Sequence, residues 1–175
     1  MAASFSFELH DGSKCTVMYV KAVGPRDFLE TLRSAFPETS IQIIAGDAVY
    51  KLDHLKWVIR QSWLAKERGI MLAKRVELDL LMRIARVSQI AEAIKVAGAK
   101  ENRAFYIVSI GAESDLRKLA SFVREKCKMA VFKEEGNKKV LQRFGINEGE
   151  VAAAGSDKIA LLLAEKGLLA VAEKL

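Results

Sequence analysis

The sequence is poor in the residues from which catalytic and metal sites are usually built. Its 175 residues include two histidines, two cysteines and two prolines. Cys15 and Cys127 lie far apart without a CxxC pattern, so we expect reduced thiols in a cytosolic protein rather than a disulfide framework or a zinc site. The signature motifs of phosphate-binding loops, zinc proteases and serine hydrolases are absent. We therefore expect no catalytic residue, no metal site and no cofactor.

Long apolar runs are also missing. The longest, residues 159–169, is interrupted by Glu165 and Lys166, and it falls short of the roughly 20 residues of a membrane span. Residues 1–10 lack the basic and apolar regions of a signal peptide, so we expect a cytoplasmic protein that does not associate with membranes. The 51% hydrophobic and 29% charged residues exclude a disordered chain and a coiled-coil rod, and the length favours a single domain over residues 1–175.

Positive charge is concentrated in the middle of the chain. The 28 lysines and arginines exceed the 22 aspartates and glutamates, which gives a net charge of +6. Residues 51–103 alone hold 12 basic and 6 acidic residues, whereas the segments before and after them carry −2 and +2. A local positive field attracts polyanions, including nucleic acids. Charge alone does not distinguish such a site from an ordinary solvated surface.

The hydrophobic pattern predicts strands and helices that follow one another without regular alternation. Strands are predicted at residues 5–9, 14–21, 41–45, 103–110 and 129–132. Helices are predicted at about 25–36, 53–68, 75–87, 88–98, 114–126, 138–144 and 156–175. Asp53, Ser88, Asn147 and Ser156 are expected to cap helices, and Gly167 to interrupt or kink the last one. We expect an α+β fold with a small, largely antiparallel sheet of four to five strands and about seven helices.

The helix predicted at 53–68 has two unlike faces. One face gathers apolar or small side chains at Leu55, Val58, Ile59, Ser62 and Ala65, and the opposite face gathers Trp57, Arg60, Gln61, Leu64 and Arg68. Arginine binds phosphate and an exposed indole stacks on an unpaired base, so the second face suits nucleic acid. The alternative is that Trp57 and Leu64 pack beneath another helix. On the next helix we expect Asp79, Arg83 and Arg86 on the polar side, with the first two at ion-pair spacing.

The last predicted helix, residues 156–175, holds more apolar residues than one narrow stripe requires. Apolar surface that remains after a core has been packed often marks a site for a protein partner. The alternative is that the whole helix is buried in the core of the protein itself.

A series of short motifs resembles one protein family. In order, they are Ile41-Gln-Ile-Ile-Ala, Asp53-His-Leu, the small residues Ser62 and Ala65, Glu77-Leu-Asp-Leu-Leu, Ser88-Gln-Ile-Ala-Glu-Ala-Ile before Gly98, and Phe144-Gly-Ile before the apolar C-terminal segment. In this order and spacing they resemble the small kinase-binding subunit of the KEOPS complex, especially its archaeal forms. The resemblance covers essentially the whole chain and is densest at residues 41–110.

The resemblance implies a non-catalytic subunit of a tRNA-modifying complex. KEOPS forms threonylcarbamoyladenosine beside the anticodon, and another subunit, regulated by a small kinase/ATPase subunit, performs the transfer. Proteins of this family bind the kinase subunit through their C-terminal region, and archaeal members hold the 3′ CCA end of tRNA. The kinase subunit and tRNA are thus the implied partners, and other KEOPS subunits are contacted indirectly. We expect a monomer when the protein is alone.

The helical faces assign residues to these two partners. For tRNA we expect phosphate contacts and one stacking surface from Lys56, Trp57, Arg60, Arg68, Lys74, Arg75 and Arg86. For the kinase subunit we expect apolar contacts from Ile159, Leu162, Leu163 and Leu169. Two alternatives stay open. One is an unrelated basic RNA-binding module, and the other, less favoured, is an enzyme that uses Cys15 or Cys127.

Overall fold

The protein has an α+β fold. The structure is a computed structural model that describes residues 3–132, 135–155 and 157–172. In these residues the strands are β1 Ser4–Glu8, β2 Lys14–Lys21, β3 Ser40–Ala45, β4 Phe105–Gly111 and β5 Lys128–Met129. The helices are α1 Pro25–Ala35, α2 Leu52–Glu67, α3 Val76–Ala85, α4 Ile90–Ala97, α5 Glu113–Lys126, α6 Lys138–Arg143, α7 Glu148–Ala154 and α8 Ile159–Ala172, with a 3₁₀ turn at Gly46–Ala48. The predicted fold class is confirmed, with eight described α-helices where the pattern predicts about seven.

The five described strands form one antiparallel sheet. Its order is β1-β2-β4-β3, and the short β5 pairs with β2 at Val20 and Lys21. Nearly all side chains of the two central strands, β2 and β4, are buried. This is why both strands appear in the sequence as continuous apolar runs rather than as alternating ones.

The outer edge of β3 is covered by side chains. The Arg33 guanidinium donates from Nε and Nη2 to the carbonyl oxygen of Ile41, at 3.3 and 3.2 Å. The Ile43 N–H donates to Oε1 of Gln42 at 3.0 Å. Backbone groups that an edge strand normally leaves open are therefore occupied by the chain's own side chains.

The chain divides into two compact units, each with its own core. The first comprises the residues up to Gly46 and those from Gly98 to Phe132, and it contains the sheet with α1 and α5. Its core consists of apolar side chains that include Met18, Val20, Leu32, Ile41, Phe105, Ile107, Leu119 and Val123. The second comprises Asp47–Ala97 and the residues after Phe132, and it contains the other six helices. A single domain over residues 1–175 stays a prediction.

The second, helical unit is built on contacts of α2 with α3 and α8. Its core includes Val140, Phe144, Ile146, Ile159 and Leu163. The predicted interruption of α8 at Gly167 is wrong, because α8 runs unbroken through it. A Cβ at position 167 would lie 3.1 Å from the carbonyl oxygen of Arg83, so the glycine serves the close approach of α8 to α3.

Two of the four predicted N-caps are wrong. Lys51 occupies the N-cap position of α2, and Asp53 lies within its first turn, where a carboxylate favours the positive end of the helix dipole. α4 begins at Ile90, two residues after Ser88. Asn147 is confirmed, because its side chain accepts from the Glu150 N–H in a capping box that begins α7. Ser156 lies outside the described residues.

The structure corrects the assignment of Ile159 and Leu163 to the kinase contact. Both side chains are fully buried in the core of the helical unit, on the face of α8 that packs inward. A partner cannot reach them in this arrangement, because they already contact side chains of the same unit. Leu162 is half-buried and Leu169 is 59% exposed, so these two remain accessible.

We expect substitutions on the two faces of α8 to differ in their effect on the free energy of unfolding. Leu163→Ala should lower the free energy of unfolding by about 2–5 kcal/mol, because it leaves a cavity in the core. Leu169→Ala, the matched control on the same helix, should change it by no more than about 0.5 kcal/mol. Urea denaturation of both variants measures the difference. Equal losses would contradict the described orientation of α8.

Candidate nucleic-acid interface

The two faces of α2 are arranged as the helical pattern predicts. Leu55, Val58, Ile59, Ser62 and Ala65 are all buried. On the opposite face, Trp57 is 39% exposed, the neighbouring arginines are exposed, and Leu64 is half-buried. The alternative that Trp57 packs beneath another helix is therefore not supported. A large aromatic side chain stands at the surface among basic residues.

Trp57 and Arg60 form one contiguous surface on α2. The guanidinium carbon of Arg60 lies 5.8 Å from the centre of the indole ring, within the range of a cation–π contact. Such a contact favours a defined orientation of both side chains. An apolar plane for stacking and a cation for phosphate are thus placed side by side.

The residues between α2 and α3 form a basic loop, which we define as residues 68–75. Helix α2 ends in a Schellman motif, in which Gly69 adopts a φ of +66° and the Ile70 N–H donates to the Ala65 carbonyl oxygen at 2.9 Å. Three basic side chains of the loop are exposed, namely Arg68, Lys74 and Arg75. Ile70 is 64% exposed among them, a feature that the sequence analysis missed.

Lys56 and Arg75 are each close to a carboxylate. Lys56 is half-buried, and its Nζ lies 3.4 Å from Oδ1 of Asp53. Arg75 is exposed, and its Nη2 lies 3.2 Å from Oε1 of Glu77. The Lys56–Asp53 pair lies at the surface, where ion pairs contribute little to stability, whereas the Glu77 side chain that binds Arg75 is only 11% exposed.

The structure corrects the prediction that Arg86 contacts tRNA. It ends α3 in a left-handed conformation with a φ of 59°, which is uncommon for a residue with a side chain. Its Nη1 donates to the carbonyl oxygen of Arg143 at 3.4 Å, and its guanidinium carbon lies 5.7 Å from the centre of the Phe144 ring. Arg86 is thus directed at residues of its own unit, and we remove it from the interface.

Asp79 and Arg83 are the second correction on α3. The sequence pattern places them on its polar side, but their side chains are 0% and 3% exposed. The Arg83 guanidinium donates from Nε to Oδ2 and from Nη2 to Oδ1 of Asp79, at 2.6 and 3.2 Å. Oδ1 also accepts the Leu72 N–H of the basic loop at 2.7 Å. The pair is therefore a buried two-pronged ion pair with a hydrogen bond to the loop.

The exposed apolar side chains of α8 lie towards its C-terminal end. Leu169 is exposed together with its neighbour Leu168, which is 42% exposed, and Leu162 is half-buried. Leu168 was not among the predicted contacts. Among the side chains of residues 159–169, which the structure describes, the accessible leucines therefore differ from the predicted contacts.

The two thiols are poorly suited to nucleophilic chemistry. Burial raises the pKa of Cys15 far above its ordinary value, and burial raises the pKa of Cys127 to about 11. The reactive form of cysteine is the thiolate, so both side chains are almost wholly protonated at neutral pH.

His54 is a buried residue of α2 and belongs to the core. Its Nδ1 accepts the Tyr50 N–H at 3.3 Å, and its ring meets the Phe144 ring edge-on at 5.8 Å between centres. Burial, and to a lesser degree the positive charge of Arg143, lower its pKa to about 3. The imidazole is therefore neutral at physiological pH and is not placed to exchange protons with a substrate.

In the part of the chain that the structure describes, no three His, Cys, Asp or Glu side chains group in a way that could hold a metal ion. None of the described helices combines the length and the apolar character that crossing a membrane requires.

No protein-family model matches this sequence, and no curated protein matches it significantly. The resemblance to the KEOPS subunit therefore depends on the order of the motifs quoted above. The site can be judged only by its own residues, and its function is a proposal.

We expect His54 to make the protein less stable in acid. The folded protein keeps the imidazole neutral down to about pH 3, whereas the unfolded chain takes up a proton near pH 6.5. The stabilising contribution should thus be complete above pH 6.5 and fall by about 1.4 kcal/mol per pH unit below it. Urea denaturation between pH 7.5 and pH 4.5 should show the stability difference between the wild type and His54→Gln shrinking towards acid. A constant difference would contradict a buried neutral imidazole.

Proposed function

We propose that this protein is the non-catalytic, kinase-binding subunit of a KEOPS complex, and that it recruits tRNA through the 3′ CCA end. It would act in the cytoplasm, as a monomer that assembles with the kinase subunit and, through it, with the other subunits. The observation that carries the tRNA part of this proposal is the exposed Trp57–Arg60 surface on α2, which continues into the basic loop. The motif order described above supports the choice of complex.

The chemistry of this surface favours an unpaired end over a duplex. Bases in a helix present only their edges in the grooves, whereas unpaired bases expose ring faces that stack on aromatic side chains. Trp57 offers such a plane, and Arg60 beside it offers a cation for the phosphate of a stacked base. The CCA end of tRNA is unpaired, so it presents the groups that this surface can bind.

The basic side chains are spread along α2 in a way that suits a short strand. Trp57 and Arg68 are eleven residues apart, which corresponds to roughly 16 Å at 1.5 Å per residue. Lys74 and Arg75 extend the positive surface into the basic loop. Several phosphates in a row can therefore be contacted, each contact releasing counterions and making binding dependent on salt.

The kinase contact is assigned to the accessible side of α8. Leu162, Leu168 and Leu169 form an apolar surface that the helical unit itself does not cover completely. The buried residues Ile159 and Leu163 hold α8 to its unit and so present this surface to a partner. Apolar side chains grouped at a surface are typical of protein–protein contacts.

We expect tRNA binding to require the CCA end. In a gel-shift titration at fixed salt, intact tRNA should bind at least about tenfold more tightly than the same tRNA lacking its three terminal nucleotides, because stacking on Trp57 contributes about 1–3 kcal/mol per base. Trp57→Ala should remove this difference. Equal binding of both tRNAs by the wild type would favour the alternative of a general RNA-binding module.

We expect substitutions at the two surfaces to weaken the binding of one partner each. Arg60→Glu combined with Lys74→Glu should weaken tRNA binding by about ten- to hundredfold and make its salt dependence shallower, because two phosphate contacts are lost. Leu169→Glu should instead prevent binding of the kinase subunit and leave tRNA binding unchanged. Isothermal titration with each partner measures both effects.

The control for net charge is Lys118→Glu combined with Lys126→Glu on α5, two exposed lysines of the other unit. It makes the same change in total charge but should leave both affinities nearly unaltered. A loss of tRNA binding as large as that of the Arg60 and Lys74 variant would show that general attraction, and not this surface, governs binding.

A further inference from the structure

We propose that Asp79 is a positioning residue that holds the basic loop, residues 68–75, in the shape in which it meets tRNA. The inference deepens the proposed function and rests on it for the identity of the ligand. It assigns a role to a residue that never touches the ligand. It also explains why a charged pair is retained inside the helical unit.

The hydrogen bond from the loop to Asp79 is short and strong. The Leu72 N–H lies in the middle of the loop, and it donates to Oδ1 of Asp79 at 2.7 Å. A carboxylate acceptor makes such a bond stronger than one to a neutral group. The bond fixes the backbone between the two ends of the loop, of which one is the Schellman motif at Gly69 and the other the start of α3 at Val76.

The carboxylate itself cannot turn away. Arg83 binds both of its oxygens, and both side chains are almost completely buried. The backbone of Arg83 lies close to α8, because a Cβ at position 167 would be 3.1 Å from the Arg83 carbonyl oxygen. The buried contacts with Arg83 therefore fix the orientation of Oδ1, and Oδ1 in turn fixes the position of the Leu72 N–H.

Stability alone does not account for the pair. A buried ion pair loses about as much in hydration as it gains in attraction, and apolar residues of similar volume are often equally stable. Nη1 of Arg83 is buried and makes no hydrogen bond with the described residues, which adds a further cost. An apolar core at this point would be simpler, but it would offer no acceptor to Leu72.

A loop of this composition needs a firm attachment. Arg68, Lys74 and Arg75 are exposed and carry like charges on one loop, so they repel one another. Ordering such a loop only when tRNA arrives would subtract the ordering entropy from the binding free energy. The bond to Asp79 orders the loop before tRNA binds. Arg83 neutralises the charge of the carboxylate, but Oδ1 still accepts the Leu72 N–H.

The test compares two double variants that differ in one hydrogen-bond acceptor. Asp79→Asn with Arg83→Met replaces the ion pair by neutral groups, but the amide oxygen still accepts the Leu72 N–H. Asp79→Leu with Arg83→Met has a similar volume and no acceptor. Both leave the basic residues untouched, and circular dichroism with thermal melting establishes that each is folded.

Two measurements are made on each variant, namely hydrogen exchange of the Leu72 amide and affinity for intact tRNA by gel shift. We expect the leucine variant to lose protection at Leu72 by at least about tenfold and to bind tRNA about tenfold more weakly. The asparagine variant should resemble the wild type in both measurements. Rescue by asparagine is the result that a merely structural role of the ion pair would not produce.

If the leucine variant does not fold, an ester in place of the peptide bond between Met71 and Leu72 removes the N–H donor without touching the core, and the tRNA affinity should fall equally. Equal exchange and equal affinity in the two double variants would overturn the positioning role. A wild type that binds no tRNA would instead overturn the proposed function, and the Leu72 exchange rates would then decide separately whether Asp79 orders the loop.

Discussion

The buried ion pair between Asp79 and Arg83 connects the basic loop with the interior of the helical unit. Through the carboxylate it reaches the basic loop, and through the carbonyl oxygen of Arg83 it meets α8 at Gly167. One turn of α3 thus lies between the surface assigned to tRNA and the helix assigned to the kinase subunit. A small displacement of α3 would therefore shift both the basic loop and α8, because closely packed interiors transmit strain.

The two units of the chain differ in the kind of surface that their residues form. The sheet unit is dominated by long apolar strands whose backbone groups are paired with one another. The helical unit carries Trp57, the basic loop and the accessible leucines of α8. Helices suit the display of such side chains, because one face packs against the core while the other carries side chains at regular intervals.

Local patterns were enough to predict the fold class and one face of the site. Strand and helix positions followed from the period of the apolar residues, and the buried face of α2 followed because Leu55, Val58, Ile59, Ser62 and Ala65 recur at helical spacing. The same pattern did not predict the orientation of the last helix. Apolar residues occur on all sides of α8, so its sequence does not distinguish the inward Leu163 from the outward Leu169.

The errors on α3 have a different cause. The spacing of Asp79 and Arg83 is the same whether an ion pair lies at the surface or in the core, and only tertiary packing decides between these. Arg86 was misassigned because the end of α3 turns it back towards Phe144, in a backbone conformation that arginine rarely adopts. Whether a charged residue faces the ligand depends on neighbours that are distant in sequence.

The covered edge of β3 has a consequence for how the protein behaves at high concentration. An incoming strand could pair there only after displacing the side chains of Arg33 and Gln42 from the backbone of β3. Sheets that leave an edge open can extend from one molecule to the next and so begin to aggregate. At these two backbone groups, β3 therefore resists pairing with a strand of another molecule.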